Sequence, residues 1–247
     1  MAWTDLPGIG TILDLLCPPR CVFCHADVAT PARRGAVACD ACVARLSRDV
    51  PRCSACGEPL PGTGICLRCR LRRVAWDGLA VLAPYADDSR DVVLRAKRPA
   101  GEGVAAGLAS LLVRKHRERF DGWNIDTVVP VPMHWLRRAS RGTSAAHEIA
   151  RGVAAGLGLP CRRSVRRTRR TRMQNELPFE ERHANLQGAF RAAGRLEGSR
   201  VLLVDDVTTT GSTLAGCREV LVEAGATAVY AAVVARADRA AAIDPES

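Results

Sequence analysis

The chain is expected to fold as an α/β domain, a mainly parallel sheet with helices on both faces, preceded by a small cysteine-rich zinc-binding module. Three observations lead there. From about residue 76 onward, short aliphatic runs alternate with helix-length stretches, the rhythm of parallel strands joined through helices. Nine of the eleven cysteines lie between Cys17 and Cys69. The run Val201-Leu202-Leu203-Val204 is apolar at every position, as a strand buried on both faces requires.

Residues 1–75 form the expected zinc module. Its cysteines fall in four pairs: Cys21-x-x-Cys24 and Cys39-x-x-Cys42, fourteen residues apart, then Cys53-x-x-Cys56 and Cys66-x-x-Cys69, nine apart. Each pair makes a tight turn that aims two thiolates at one point, and two turns complete a tetrahedron around zinc. Sequential pairing groups Cys21, Cys24, Cys39 and Cys42, then Cys53, Cys56, Cys66 and Cys69; interleaved pairing stays open. Cys17 and His25 are spare ligands. A redox dithiol is the rival reading, but no thioredoxin-like context surrounds the pairs. With four protein ligands per site no position is left for water, so the zinc is expected to be structural, holding a segment too small for its own core.

Residues 76–240 form the expected α/β domain, and 241–247 a flexible tail. Leu79–Leu82, Thr127–Pro130, Val201–Val204 and Ala228–Val234 are the strand candidates, each a short aliphatic or β-branched run between turn residues. Helices are expected over about 101–119, 143–157 and 212–224, the last closed by Gly225 as the glycine after a helix end. Residues 162–187 are polar and arginine-rich and fit no period, which suggests an irregular excursion over the sheet edge.

Composition narrows the function. The formal net charge is +10, from 36 Lys and Arg against 26 Asp and Glu, which favours anionic partners such as phosphorylated metabolites or nucleic acid. Ten arginines lie between Arg20 and Arg73 and could touch phosphates. Aromatics are only 4%, so stacking of bases on several rings is not the expected binding mode. Met1-Ala2-Trp3-Thr4-Asp5 carries no basic run and no apolar stretch reaches the roughly 20 residues of a membrane span. The expected compartment is therefore the reducing cytoplasm, where clustered cysteines bind metal rather than form disulfides.

The strand Val201–Val204 delivers Asp205-Asp206 at its C-terminal end, where open α/β sheets bind ligands. Thr208-Thr209-Thr210-Gly211-Ser212-Thr213 follows, opening a helix. Hydroxyls and exposed amides at a helix N-terminus suit a phosphate monoester. Gly211 can take the backbone angles that close the chain on it. The two carboxylates can accept hydrogen bonds from a vicinal diol one ribose-width away. A capped helix without ligand is the bland alternative, but capping needs one such residue and this segment carries two acids, four threonines and a serine. A Walker loop is excluded, since no G-K-[ST] follows the strand.

This loop resembles the 5-phosphoribosyl-1-pyrophosphate (PRPP) fingerprint of type I phosphoribosyltransferases. Nearly the whole chain is similar to the ComF family, which joins a double zinc ribbon to such a domain. The resemblance rests on the cysteine pairs, Gly57-Glu58-Pro59-Leu60-Pro61, Pro130-Val131-Pro132-Met133-His134, Gln174, Glu181-Arg182, Asn185, Ala189-Phe190 and the Asp205-Asp206 loop. It implies that Asp205 and Asp206 bind the ribose hydroxyls, and that Thr209, Thr210, Gly211, Ser212 and Thr213, led in by Thr208, bind the 5-phosphate. Pro130, Val131 and Pro132 would face the pyrophosphate, with Lys97, Arg137, Arg138 and Arg141 as its cations. Magnesium would bridge ribose and pyrophosphate oxygens.

Two stretches depart from the family pattern. Arg141-Gly142-Thr143-Ser144-Ala145 stands where relatives carry Arg-Gly-Phe-Asn-Gln, and Arg95-Ala96-Lys97-Arg98-Pro99 stands for Leu-Lys-Phe-Arg-Gly. Both fall on the pyrophosphate side and spare the 5-phosphate loop. No residue identifies itself as a base recogniser or general base, and His134 reads as structural or as a phosphate donor. The resemblance implies a phosphoribosyl-binding protein acting on single-stranded DNA in uptake or processing during natural transformation, with a DNA-translocating helicase as partner. The alternative is an active transferase that moves phosphoribosyl from PRPP to a nitrogen acceptor. A third reading is a structural adaptor whose zinc ribbon docks a partner.

Overall fold

The computed structural model describes residues 18–28, 37–62, 64–71, 76–133, 144–168 and 188–237. Cys17, His134, Arg137, Arg138, Arg141, Gln174, Glu181, Arg182, Asn185 and the tail lie outside them. Ahead of the sheet come helices α1 (Asp40–Leu46) and α2 (Leu67–Leu71). Strand β1 (Gly78–Pro84), α3 (Asp87–Ala96), α4 (Glu102–Trp123), β2 (Thr127–Pro130) and α5 (Ala145–Leu157) follow. The chain then runs through β3 (Val165–Arg167), β4 (Phe190–Ala192), β5 (Arg200–Thr208), α6 (Ser212–Glu223) and β6 (Ala228–Arg236).

The main sheet has the order β1-β6-β5-β2, and every pairing in it is parallel. Each expected strand is one of these four. In β5, Leu202 and Val204 enter the core on the side of α3, α4 and α5, whereas Val201 and Leu203 enter the core on the side of α6. This alternation is the two-residue period of a strand. Helix α4 runs four residues beyond the expected end at 119 and stops at Asn124 in the left-handed region (φ 49). Helix α6 ends as expected before Gly225, at φ +100.

Two elements differ from expectation. Helix α3 was not anticipated, because its first turn is Asp87-Asp88-Ser89-Arg90 and only Val92, Val93 and Ala96 supply a buried stripe. Buried Ser89 holds the turn together: its hydroxyl accepts from the Ala86 N–H at 3.0 Å and donates to the Pro84 carbonyl. The arginine-rich stretch is also not wholly irregular, for β3 and β4 form an antiparallel ribbon, with Val165 opposite Ala192 and Arg167 opposite Phe190.

The cysteine module wraps the edge strand β1. Its first turn packs on the α3–α4 side: a Cβ on Gly107 of α4 would lie 2.7 Å from Val22 and 2.8 Å from Phe23. Arg95 of α3 donates to the Val22 carbonyl at 3.1 Å and to that of Phe23. The second turn packs on the opposite face, where Gly57 (φ +72) fits against Leu79, Val81 and the Arg236 side chain. Between them, Lys115 donates to the carbonyls of Ser47, Arg48 and Leu82, pinning the connecting segment to the sheet. His116 and Arg119 bind the carbonyls of Val81 and Leu79 at 3.0 and 3.1 Å. Burial lowers the His116 pKa to about 4, so the ring is neutral and its Nε2–H donates. An edge strand covered in this way offers little to another chain.

Candidate functional site

Two four-sulfur clusters stand out first. Cys21, Cys24, Cys39 and Cys42 bring their Sγ atoms within 4.8 Å of one another, and so do Cys53, Cys56, Cys66 and Cys69. The grouping is the sequential one. All eight are free thiols. Measured edges are 3.6 Å for Cys24–Cys39 and 3.8 Å for Cys56–Cys66, against the roughly 3.8 Å edge of a tetrahedron with Zn–S of about 2.3 Å. Burial opposes ionisation of Cys21, but the amides of Cys39, Cys24 and Phe23 overcome it and bring the thiol to about 6. Cys53 behaves alike: amides of Cys66, Cys56 and Ala55 outweigh burial, and it falls to about 7. Burial and the hydrogen bonds of its neighbours push Cys42 to about 12. Each cluster thus holds one thiol ready to ionise near neutrality and begin coordination, so the donor set fits zinc.

The acid pair sits where β5 leaves the sheet. Asp205 and Asp206 start on opposite faces, as strand alternation demands. Asp206 is on the α3 side, and Lys97, just past the end of α3, places its Nζ 3.1 Å from Asp206 Oδ2. Asp205 is on the α6 side, near Cys217 and Arg167. Each acid accepts the N–H of the next residue: Asp206 N to Asp205 Oδ1 at 2.9 Å, Val207 N to Asp206 Oδ1 at 2.7 Å. Burial, and then the charge of Asp206, push the Asp205 carboxyl well above the usual carboxylate range. The pair therefore contains one anion partnered by lysine and one carboxyl that resists ionising.

Beyond the acids the chain turns into α6. Gly211 is the residue before the helix and lies at φ 80, ψ 4. The Thr210 hydroxyl is 2.7 Å from that of Ser212 and accepts the Ser212 N–H at 3.2 Å. Among the described residues the amides of Thr209, Thr210 and Gly211 meet no protein acceptor. Thr208 is buried, Thr209 exposed, and Thr210, Ser212 and Thr213 half-buried. Pro130 ends β2 beside Val204, the Val131 N–H donates to the Val204 carbonyl at 2.9 Å, and Pro132 is half-buried.

Two residues not foreseen from the sequence back this loop. The Trp76 ring occupies the space a Cβ would need at Gly211, and its indole N–H donates to the Ala55 carbonyl inside the second cysteine turn. Arg236, in register with Thr208, donates from Nε to the Cys56 carbonyl at 2.9 Å and pairs with Glu58 at 2.5 Å. The second zinc turn therefore holds the loop at both ends. Nothing local marks a lone tryptophan or a strand-end arginine for this role. Gly211→Ala is expected to lower stability by roughly 1–3 kcal/mol, the cost of forcing a non-glycine residue into the left-handed region. The Trp76 contact adds to that loss. A urea midpoint equal to that of the unsubstituted chain would count against this packing.

Comparisons with known proteins agree with this layout. A family model described as "Phosphoribosyl transferase domain" matches residues 100–247, and one described as "Double zinc ribbon domain" matches residues 12–70. The DNA utilization protein YhgH of Escherichia coli (strain K12) is 31% identical over 198 residues, covering 77% of this chain and 86% of that protein. Competence protein F of Haemophilus influenzae is 28% identical over 226 residues, covering 88% and 97%. Among solved structures, the glutamine PRPP amidotransferase from B. subtilis is 22% identical, with a TM-score of 0.40 over 59% of this chain and 30% of that one. A type I phosphoribosyltransferase-like sheet with two four-cysteine sites ahead of it, matched in both parts and related along most of its length to YhgH and Competence protein F, makes this chain a member of the ComF family.

Proposed function

We propose that this chain binds PRPP or another phosphoribosyl compound, with magnesium, at the end of β5 and acts on single-stranded DNA in uptake or processing during natural transformation. The observation that carries the reading is the strand-end arrangement of Asp205, Asp206, the Thr208–Thr213 turn and the α6 N-terminus. The unengaged amides and the hydroxyls of Thr209, Thr210, Ser212 and Thr213 would hold the 5-phosphate. Asp206, with Asp205 behind it, would accept from the ribose diol. Lys97, already drawn to Asp206, would turn toward the pyrophosphate beyond Pro130, Val131 and Pro132.

Magnesium fits only in company with the ligand. One carboxylate is engaged by Lys97 and the other resists ionising, so a hard cation that keeps its waters would be held chiefly through the ligand's own oxygens. When bound, it would neutralise charge on the pyrophosphate. Calorimetric titration with PRPP, with and without magnesium, tests the site; one equivalent should bind in the presence of the cation. No heat in either case would end the reading.

The DNA part is supported by the net charge of +10 and by what the relatives are called, DNA utilization protein and Competence protein F. On this reading residues 1–75 and 76–240 act as zinc module and ligand domain, in the cytoplasm, alongside a DNA-translocating helicase. Among the described residues no helix is long and apolar enough to cross a membrane. Released counterions would drive the binding. If three to five phosphates are neutralised, the logarithm of affinity should fall against that of salt with a slope of about −2 to −3.5. A salt-independent affinity, or none at low salt, would remove the DNA role.

A second reading, phosphoribosyl transfer to a nitrogen acceptor, is favoured by the retention of both acids. It requires release of pyrophosphate from PRPP and magnesium when the right base is added.

A further inference from the structure

The end of β2 carries a second concentration of positive charge, on the side away from β5. There the chain returns alongside the strand: the Val128 N–H donates to the Pro160 carbonyl and the Arg162 N–H to the Val128 carbonyl, both at 2.9 Å. This return carries Arg163, Arg166 and Arg167 up to the Pro130–Met133 turn, where they line a cavity of about 380 Å³. No acidic residue lines it among the described residues, and no residue of the Asp205–Thr213 turn, nor Lys97, borders it.

The arginines are held in place before any ligand arrives. Arg163 donates to His147 Nε2 at 2.8 Å, which leaves that ring neutral with its proton on Nδ1. Arg167 lies over the Phe190 ring, 5.6 Å from its centroid. Holding such long side chains in advance removes part of the ordering cost of binding. Helix α5, thirteen residues long, points its N-terminus at the cavity, and Ser144 at that end makes no side-chain cap. Its hydroxyl and the positive end of the helix dipole add to the attraction for an anion. The opposite wall, Pro130, Val131 and Met133, is apolar. The volume is that of a site for a whole small molecule.

We propose that this cavity is a second oxyanion site, separate from the strand-end site, taking a small molecule that carries a phosphate on an apolar or planar body. The phosphate faces Arg163, Arg166 and Arg167, whose planar forks match its oxygens. The body lies against Pro130, Val131 and Met133.

Phenyl phosphate is the probe. The full-length protein is first saturated with ribose 5-phosphate and then titrated calorimetrically with phenyl phosphate, with phenol as the control. One further equivalent of phenyl phosphate should bind, and phenol should give no heat. The double substitution Arg163→Ala, Arg166→Ala should weaken phenyl phosphate at least tenfold and leave ribose 5-phosphate affinity unchanged; both side chains are exposed, so the fold should tolerate it. Arg163→Lys, which keeps the charge and loses the fork, should fall between. No binding to the saturated protein, or binding indifferent to these arginines, overturns the proposal. So does displacement of phenyl phosphate by PRPP with magnesium, which would make the cavity part of the strand-end site. If ribose 5-phosphate itself fails to bind, the strand-end reading falls, and the cavity is still judged by phenyl phosphate on the free protein.

Discussion

Asp205→Asn is expected to stabilise the ligand-free protein at pH 7 while destroying its hold on ribose 5-phosphate. The folded carboxyl has its pKa raised well above the usual range, by burial first and the Asp206 charge second. Below the ordinary carboxylate value both folded and unfolded chains carry the proton, and the group costs nothing. Above it the unfolded chain ionises while the folded one holds its proton, so stability falls as pH rises toward the folded value. Asparagine removes this slope. Each kcal/mol regained should appear as about 2–4 °C in Tm for a chain of this size. The informative quantity is the Tm difference between variant and unsubstituted protein from pH 5.5 to 8, in which changes at the zinc sites cancel. It should grow with pH. Affinity for ribose 5-phosphate should drop by roughly ten- to a hundredfold, the worth of a hydrogen bond to a charged group. A variant that is less stable at neutral pH, or that binds as before, would show that Asp205 is an ordinary core acid. A gain in stability bought with function is the mark of a binding site.

Cys56→Ser is expected to damage the phosphate site from a distance, and Cys24→Ser is not. Structural zinc in small modules contributes on the order of 10–16 kcal/mol of binding energy that is also folding energy. Loss of a ligand should therefore release the metal from its own cluster and lower the zinc content from two to one per chain in either variant. The consequences differ because the two turns dock differently. The first seats Val22 and Phe23 against Gly107 on the α3–α4 face. The second holds Trp76 against Gly211 through Ala55, and Arg236 beside Thr208 through Cys56 and Glu58. Undoing the second frees both supports of the loop. Ribose 5-phosphate affinity should then fall at least tenfold in Cys56→Ser and stay within about twofold in Cys24→Ser. Circular dichroism should show the sheet intact in both. Equal losses in the two variants would mean that the zinc module stabilises the domain only as a whole.

The four central strands, the two sets of cysteines and the phosphate turn were all legible from the chain, because each writes its signal locally. A run such as Val201–Val204 declares burial on both faces, a C-x-x-C spacing declares a shared metal, and Asp-Asp before threonines and glycine declares a strand end turning into a helix. Helix α3 was hidden, since its acidic start and three-residue buried stripe give almost no period. The same holds for the β3–β4 ribbon, whose strands are three residues each.

What no local pattern could convey is who meets whom across the fold. That Lys97 neutralises Asp206, that burial keeps Asp205 from ionising, that Trp76 fills the gap at Gly211, and that Arg163, Arg166 and Arg167 converge on the turn after β2 all depend on residues tens of positions apart. Periodicity reports which face of an element is apolar. It carries no information on which partner covers that face, and partner choice arises only when the whole core packs at once.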